Sequence, residues 1–367
     1  MNILMLSNEF PPTLGGVQTH VYELSRALVF QGHTVTVMTR HHHHEWPVQE
    51  TLEGISVIRL GLSNSHWLYN WQLWRAIKTL HQKQQIDVIH VHGMRPLDAT
   101  RKLNIPVIFT NHTSGFLRRI QQGDKVLRKM RIQLAHCAMI LAPSEELVDA
   151  ALSTGYLGPC QFIANGVDST RFSPGQSPLR QALGIPEKAI VAVLARRLVA
   201  KNGVLYLAEA LKQIHHPDFH LIVAGDGADR PSFEALIHEA PCAQRVHLLG
   251  GVDNARMPEI FRAANIAILP SLMEATSIAG LEAMASGLAL VGTRVGGIPV
   301  IVEENRTGLL VPAKDPATLA DAINQLLLAP ERVDEMGKNA ILKVQKEFSW
   351  QRIAEITVAA YQQALTS

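Results

Sequence analysis

Short unbroken apolar runs alternate with stretches of helical period along most of this chain. Residues 3–6 are wholly apolar, as in a parallel strand buried on both faces. A loop with Pro11, Pro12, Gly15 and Gly16 follows. Val17, Val21, Leu24 and Leu28 then recur at helical spacing up to Gly32, and residues 34–39 return to strand. Strands are predicted again at residues 55–60, 87–92, 106–110 and 138–142. Between them, Trp71, Trp74, Ile77 and Leu80 mark the expected core face of a helix, and Ser144 is placed to cap another. A polar, glycine-bearing stretch around Asn165-Gly166-Val167-Asp168, continuing to Pro174-Gly175, interrupts the series. A second alternating series then begins, with strands at residues 190–194, 219–224, 246–249, 267–269 and 288–291. Three helical stretches close the chain, at residues 319–327, 333–344 and 350–365.

Two successive strand–helix series in 367 residues predict two α/β domains, each a Rossmann-like doubly wound parallel sheet. The first is expected over residues 1–168, the second over 169–349. The opening βαβ unit lacks the G-x-G-x-x-G pattern, which disfavours a dinucleotide-dependent dehydrogenase. Its paired Gly15 and Gly16 would let backbone N–H groups approach an anion. A net charge of +2 carries no global nucleic-acid signature. Cys137, Cys160 and Cys242 match no metal spacing and read as thiols in a reducing compartment. The first residues lack a basic leader region, and no apolar run approaches the roughly 20 residues of a membrane span. A cytosolic protein is expected.

The densest chemistry lies between Leu269 and Pro299. A strand end leads into a polar loop with Glu274; Thr276 and Ser277 are natural helix caps, and a small-residue helix carrying Glu282 runs to Gly287. The free N–H groups at Thr276, Ser277 and Ile278 would attract a phosphate. Two carboxylates beside a phosphate attractor suit the hydroxyls of a sugar nucleotide. Solvated surface charge is the simpler alternative, but the helix is otherwise almost wholly apolar. A second basic element, Arg196-Arg197-Leu198-Val199-Ala200-Lys201, follows the strand at 190–194. Cations at a strand end would neutralise a diphosphate.

Glu274 and Glu282 resemble the E-x7-E signature of family-four retaining glycosyltransferases. The proline-rich double-glycine loop, the N-G-V-D hinge and the Arg–Lys element are similar to that family at collinear positions. The chain departs from the pattern after Glu274, where many members have a glycine and an aromatic residue and this chain has Ala275, Thr276 and Ser277. The resemblance implies the GT-B fold, with two Rossmann-like domains facing a cleft and the last helix, 350–367, crossing back to complete the first, acceptor-side domain. The second domain would hold the nucleotide. The implied reaction moves a hexosyl-type sugar from a nucleotide diphosphate sugar to an acceptor hydroxyl with retention.

In that reading Glu274, Lys201, Arg197 and His112 serve catalysis. Gly15, Gly16, Arg196, Glu282, Thr276, Ser277 and Ile278 bind substrate. Spacing to Lys201 favours Arg196 for the diphosphate, whereas the following Leu198-Val199 favours Arg197, and the register stays open. His112 is expected in the ligand crevice because it lies just past the end of a strand, with His92 a weaker candidate. No metal site and no cofactor are expected, since no D-x-D motif occurs. The His41–His44 run is expected at a solvated loop tip.

The acceptor is expected to be a glycan or lipid-linked hydroxyl. The basic segment 116–134 offers peripheral contact with the inner membrane face. The alternatives are a sugar-nucleotide epimerase, a phosphorylase on the same scaffold, and a non-catalytic nucleotide-sugar-binding subunit.

Overall fold

The structure, a computed structural model, describes every residue except Leu14, Thr113 and Ser367; the side chain of Ser114 also lies outside the description. The chain forms two units. The first is Met1–Gly166 completed by the C-terminal segment from Trp350, and the second is Val167–Ser349.

The first unit contains β1 (Asn2–Ser7), β2 (Thr34–Arg40), β3 (Gln49–Leu52), β4 (Ile55–Leu60), β5 (Val88–His92), β6 (Val107–Thr110), β7 (Met139–Ala142) and β8 (Cys160–Phe162). Their order across the sheet is β3-β4-β2-β1-β5-β6-β7-β8. All neighbours pair in parallel except β3 and β4. β1 and β5 are almost wholly buried, which their unbroken apolar runs require. The chain winds outward from β1 to β2 and β4, then returns to start again at β5. The topological switch point is therefore between β1 and β5, where a doubly wound sheet leaves a crevice outside its carboxyl ends.

The second unit contains β9 (Ile190–Ala195), β10 (Phe219–Ala224), β11 (Val246–Gly250), β12 (Ile266–Leu269), β13 (Ala289–Thr293) and β14 (Gly308–Val311). The order β11-β10-β9-β12-β13-β14 is wholly parallel and places its switch point between β9 and β12. Leu194, Leu207, Phe219, Phe233, Ile268 and Ile323 are among the side chains with no exposure that fill its core. Burying each such side chain contributes about 1.5–3 kcal/mol.

The helix Trp350–Thr366 packs into the first unit, with Trp350 and Tyr361 buried. Tyr361 shares a 2.7 Å hydrogen bond with His90 Nδ1, and Gln31 Nε2 donates to the Gln351 carbonyl at 2.9 Å.

One expectation is corrected. The helix His66–Lys83 buries Tyr69, Leu73 and Ile77, not Trp71, which is 45% exposed. Large apolar residues stand on both sides of this helix, and the buried stripe follows the four-residue spacing of 69, 73 and 77.

Candidate active site

In the second unit, Arg196 follows β9, and Ser271 and Glu274 follow β12, so they stand on either side of the switch point. Arg196 Nη1 donates to Ser271 Oγ at 2.5 Å, and its Nη2 pairs with Glu274 Oε2. Both side chains are largely covered, with 10% and 16% of their area exposed. Arg197 points the other way and is exposed; its carbonyl accepts from Asn202 Nδ2 at 2.7 Å. The structure therefore brings Arg196, and not Arg197, to Glu274.

Lys201 sits exposed in the 3-10 turn Ala200–Asn202. Its carbonyl accepts from the Leu272 N–H at 2.9 Å, which fastens the Lys201 turn to the Glu274 loop. The next residue but one explains the close fit. Gly203 has φ +65°, and a Cβ there would run into the Pro270 carbonyl. The opposite side of the Glu274 loop is held in the same way. Gly296, at φ +52°, lies against the Glu274 carbonyl, which also accepts from the Gly297 N–H at 3.3 Å. Thr293 Oγ1 donates to the Ser271 carbonyl at 2.6 Å. Backbone contacts thus fix three loops around one ion pair.

The helix Ile278–Ala285 is capped by Ser277, whose Oγ accepts from Gly280 N–H at 3.2 Å. Thr276 and Ser277 are buried, and Glu282 is only 8% exposed within this helix. Ile278 is its first residue.

In the first unit, Gly16 opens the helix Gly16–Phe30 after Gly15, and no side chain among the described residues caps it. His112, past the end of β6, joins a cluster of imidazoles. His92 Nδ1 lies 2.9 Å from His112 Nε2, and the two rings stack at 5.2 Å. His20 meets His112 edge-on at 4.4 Å. His20 Nδ1 bonds Asn165 Oδ1 at 2.8 Å, and His90 bonds Thr110 as well as Tyr361. Burial drives the His20 pKa down to about 4 despite the Asn165 bond. Burial, reinforced by neighbouring imidazoles, holds His90, His92 and His112 well below the usual range. At neutral pH all four are uncharged.

Sequence reasoning singled out His112 and His92 but missed His20 and Asn165. The signal for His20 was its place on the stripe of Val17, Val21, Leu24 and Leu28, where a polar residue must be buried. The thiols take no part. Cys137 and Cys242 are buried, and burial raises the Cys137 pKa to about 12. His42, His43 and His44 are exposed in their loop.

Residues 14–171 match the model of the family described as Glycosyltransferase Family 4, and residues 176–343 that of Glycosyl transferases group 1. The D-inositol 3-phosphate glycosyltransferase of Arthrobacter sp. (strain FB24) is 30% identical over 382 residues, spanning 96% of this chain and 90% of that protein. The chain belongs to the family-four glycosyltransferases. The D-inositol 3-phosphate glycosyltransferase of Kribbella flavida is 29% identical, over 95% of this chain and 91% of that protein. A phosphatidylinositol N-acetylglucosaminyltransferase polypeptide of Arabidopsis thaliana is 28% identical, over 100% of this chain and 82% of that protein. Among solved structures, sucrose-phosphate synthase from Thermosynechococcus elongatus superposes with a TM-score of 0.86 at 25% identity, covering 100% and 99% of the two chains. This family-four glycosyltransferase therefore has the two parallel α/β domains of the GT-B fold. No helix among the described residues is long and apolar enough to cross a membrane.

Proposed function

We propose that this enzyme transfers a hexosyl-type sugar from a nucleotide diphosphate sugar to an acceptor hydroxyl, with retained anomeric configuration and without a catalytic metal ion. The observation that carries the reading is the Arg196–Glu274 pair across the switch point of the second unit, with the Lys201 turn fastened to the same loop. Arg196 and Lys201 would hold the donor diphosphate, with N–H groups at Thr276, Ser277 and Ile278 and at Gly15 and Gly16 assisting. Glu274 would orient the sugar hydroxyls and keep Arg196 aimed. Glu282 would accept from the ribose hydroxyls. His112, neutral, would hydrogen-bond the transferred sugar or the acceptor.

The acceptor hydroxyl attacks from the face that the diphosphate leaves, and the leaving phosphate takes its proton. Catalysis then rests on stabilising the departing diphosphate and a cationic sugar, so that no protein nucleophile is required. Fixed cations supply the charge that a divalent ion would otherwise provide, which is the basis for metal independence.

The acceptor is proposed to be a glycan or lipid-linked hydroxyl, with peripheral contact at an anionic membrane surface. The helices Ser114–Ile120 and Asp124–Leu134 turn Phe116, Leu117, Met130 and Leu134 inward and leave Arg118, Lys125, Arg128, Lys129 and Arg131 exposed. Asp98 accepts from Gln133 Nε2 at 2.9 Å and lies 3.2 Å from His66 Nε2. This bridge joins the basic helix to the one bearing the exposed Trp67 and Trp71. Cations beside exposed aromatic rings suit an anionic interface.

The test is a panel of nucleotide sugars and acceptors, with product anomers read by NMR and chelator added in parallel. A product that keeps the donor configuration, formed equally in chelator, supports the reading. An inverted product, or activity abolished by chelator and restored by Mg²⁺ or Mn²⁺, contradicts it.

A further inference from the structure

The first unit gathers imidazoles from three separate elements: His20 within the helix Gly16–Phe30, His92 at the end of β5, and His112 beyond β6. One ring nitrogen of each lies within 4.8 Å of the other two. We propose that His20, His92 and His112 form a three-histidine site for a borderline divalent cation of the Zn²⁺ class, with its fourth position open.

The outer hydrogen bonds set the tautomers for this. Asn165 Oδ1 can only accept, so the 2.8 Å bond puts the His20 proton on Nδ1 and leaves the Nε2 lone pair free. The Met5 thioether also only accepts. It lies 3.4 Å from His92 Nε2, so that nitrogen carries the proton and Nδ1 carries the lone pair. That lone pair faces His112 Nε2 at 2.9 Å, so His112 donates there. A cation takes the place of this one shared proton. His112 ligates through Nε2 and carries its proton on Nδ1 instead, with no net proton released. Two of three ligands are thus already in the metal-binding tautomer, each held by an outer partner of the kind that orients metal-bound imidazoles.

Distance and chemistry agree. Zn–N bonds of about 2.0–2.1 Å in a tetrahedral site place ligand nitrogens about 3.3–3.4 Å apart. The present separations bracket that value. Burial keeps all three rings neutral, so protons do not compete at neutral pH. Three imidazoles without a carboxylate select Zn²⁺, Cu²⁺, Ni²⁺ or Co²⁺ over Mg²⁺, Mn²⁺ or Ca²⁺. The site is therefore distinct from any Mg²⁺ or Mn²⁺ accompanying a diphosphate. Occupancy would also withdraw His112 from substrate, so that Zn²⁺ would inhibit transfer; this consequence rests on the role proposed for His112 above.

The exposed His42, His43 and His44 would bind the same metals, so the test uses the full chain with all three replaced by Ser. Chelator-stripped protein is loaded with ZnCl₂, desalted and analysed for metal. Co²⁺ loading is followed by visible absorption, which reports four-coordinate geometry without any further substitution. One equivalent of Zn²⁺ and an intense Co²⁺ band are expected. Adding His112→Ala, in the half-buried loop, should remove both. Asn165→Ala should weaken Zn²⁺ binding about 10- to 100-fold. Failure of the stripped protein to retain metal, or equal retention by folded His112→Ala, overturns the site. Stoichiometric Zn²⁺ with undiminished transfer would keep the site and refute the proposed substrate role of His112.

Discussion

The two units share one plan and differ in the charge at its ligand end. Each has a parallel sheet wound outward from a central strand, with the switch point beside that strand. At the second unit's switch point stands an ion pair, Arg196–Glu274, with Lys201 on the adjoining turn. At the first unit's stands a group of imidazoles that burial keeps uncharged. The fold supplies a place for a ligand twice; the residues on the loops decide what that place prefers. A cationic, hydroxyl-lined site suits a diphosphate. A neutral, acceptor-rich one suits hydroxyl groups or a borderline metal.

The largest effects should come from the charged side. Lys201→Ala and Arg196→Ala should each lower turnover at saturating donor on the order of 100- to 1,000-fold, because charge on the leaving phosphate grows toward the transition state. Arg197→Ala, removing an exposed side chain turned away from Glu274, should cost little. Steady-state kinetics on the three variants decides this; a large loss confined to Arg197→Ala would reverse the register.

The glutamates sharpen the contrast within that unit. Glu274→Ala should mainly lower turnover with the full donor. Glu282→Ala should weaken nucleoside diphosphate binding itself, since donor and product both carry the ribose. Calorimetric titration of both variants separates the two, and equal losses would contradict the assignment.

The neutral side predicts an acid-sensitive fold. A histidine whose folded pKa is depressed binds fewer protons in the native state than in the unfolded chain. Its stabilisation is present above the unfolded pKa near 6.5 and is lost as pH falls toward the folded value, about 4 for His20. His20 alone should cost about 2 kcal/mol between pH 7 and pH 5, with His90, His92 and His112 adding in the same direction. Denaturant titration of chelator-treated protein at the two pH values measures it. Unchanged stability would mean that these imidazoles are not neutral and buried.

Much of this was legible in the sequence. Buried parallel strands declare themselves as apolar runs, and those at residues 3–6, 190–194 and 219–224 lie within β1, β9 and β10. The edges did not. β3 reads Gln49-Glu50-Thr51-Leu52 and is half solvated, and β8 is only three residues long. Neither carries enough apolar length to stand out from loop. The chemistry divides in the same way. Local motifs such as Glu274 with Glu282, or the basic element before Gly203, could be seen because their residues are neighbours in the chain. Choosing between Arg196 and Arg197 required side-chain direction, which alternates between adjacent residues at a strand end. The imidazole group needed more still: His20 and Asn165 are 145 positions apart. Only the winding of the sheet brings the hinge beside the first helix. The tryptophans show the same limit, since a helix with large apolar residues on two sides does not say which side is buried.

The most direct test of the difference between the units is nucleoside diphosphate binding to wild type, Glu282→Ala and His112→Ala, followed by thermal shift. A ligand at about 100 times its dissociation constant adds about 2.7 kcal/mol of stability. The account predicts that wild type and His112→Ala are both stabilised, and that Glu282→Ala loses most of the shift at the same concentration. Loss of the shift in His112→Ala with full retention in Glu282→Ala would place the nucleotide in the wrong unit and contradict the account.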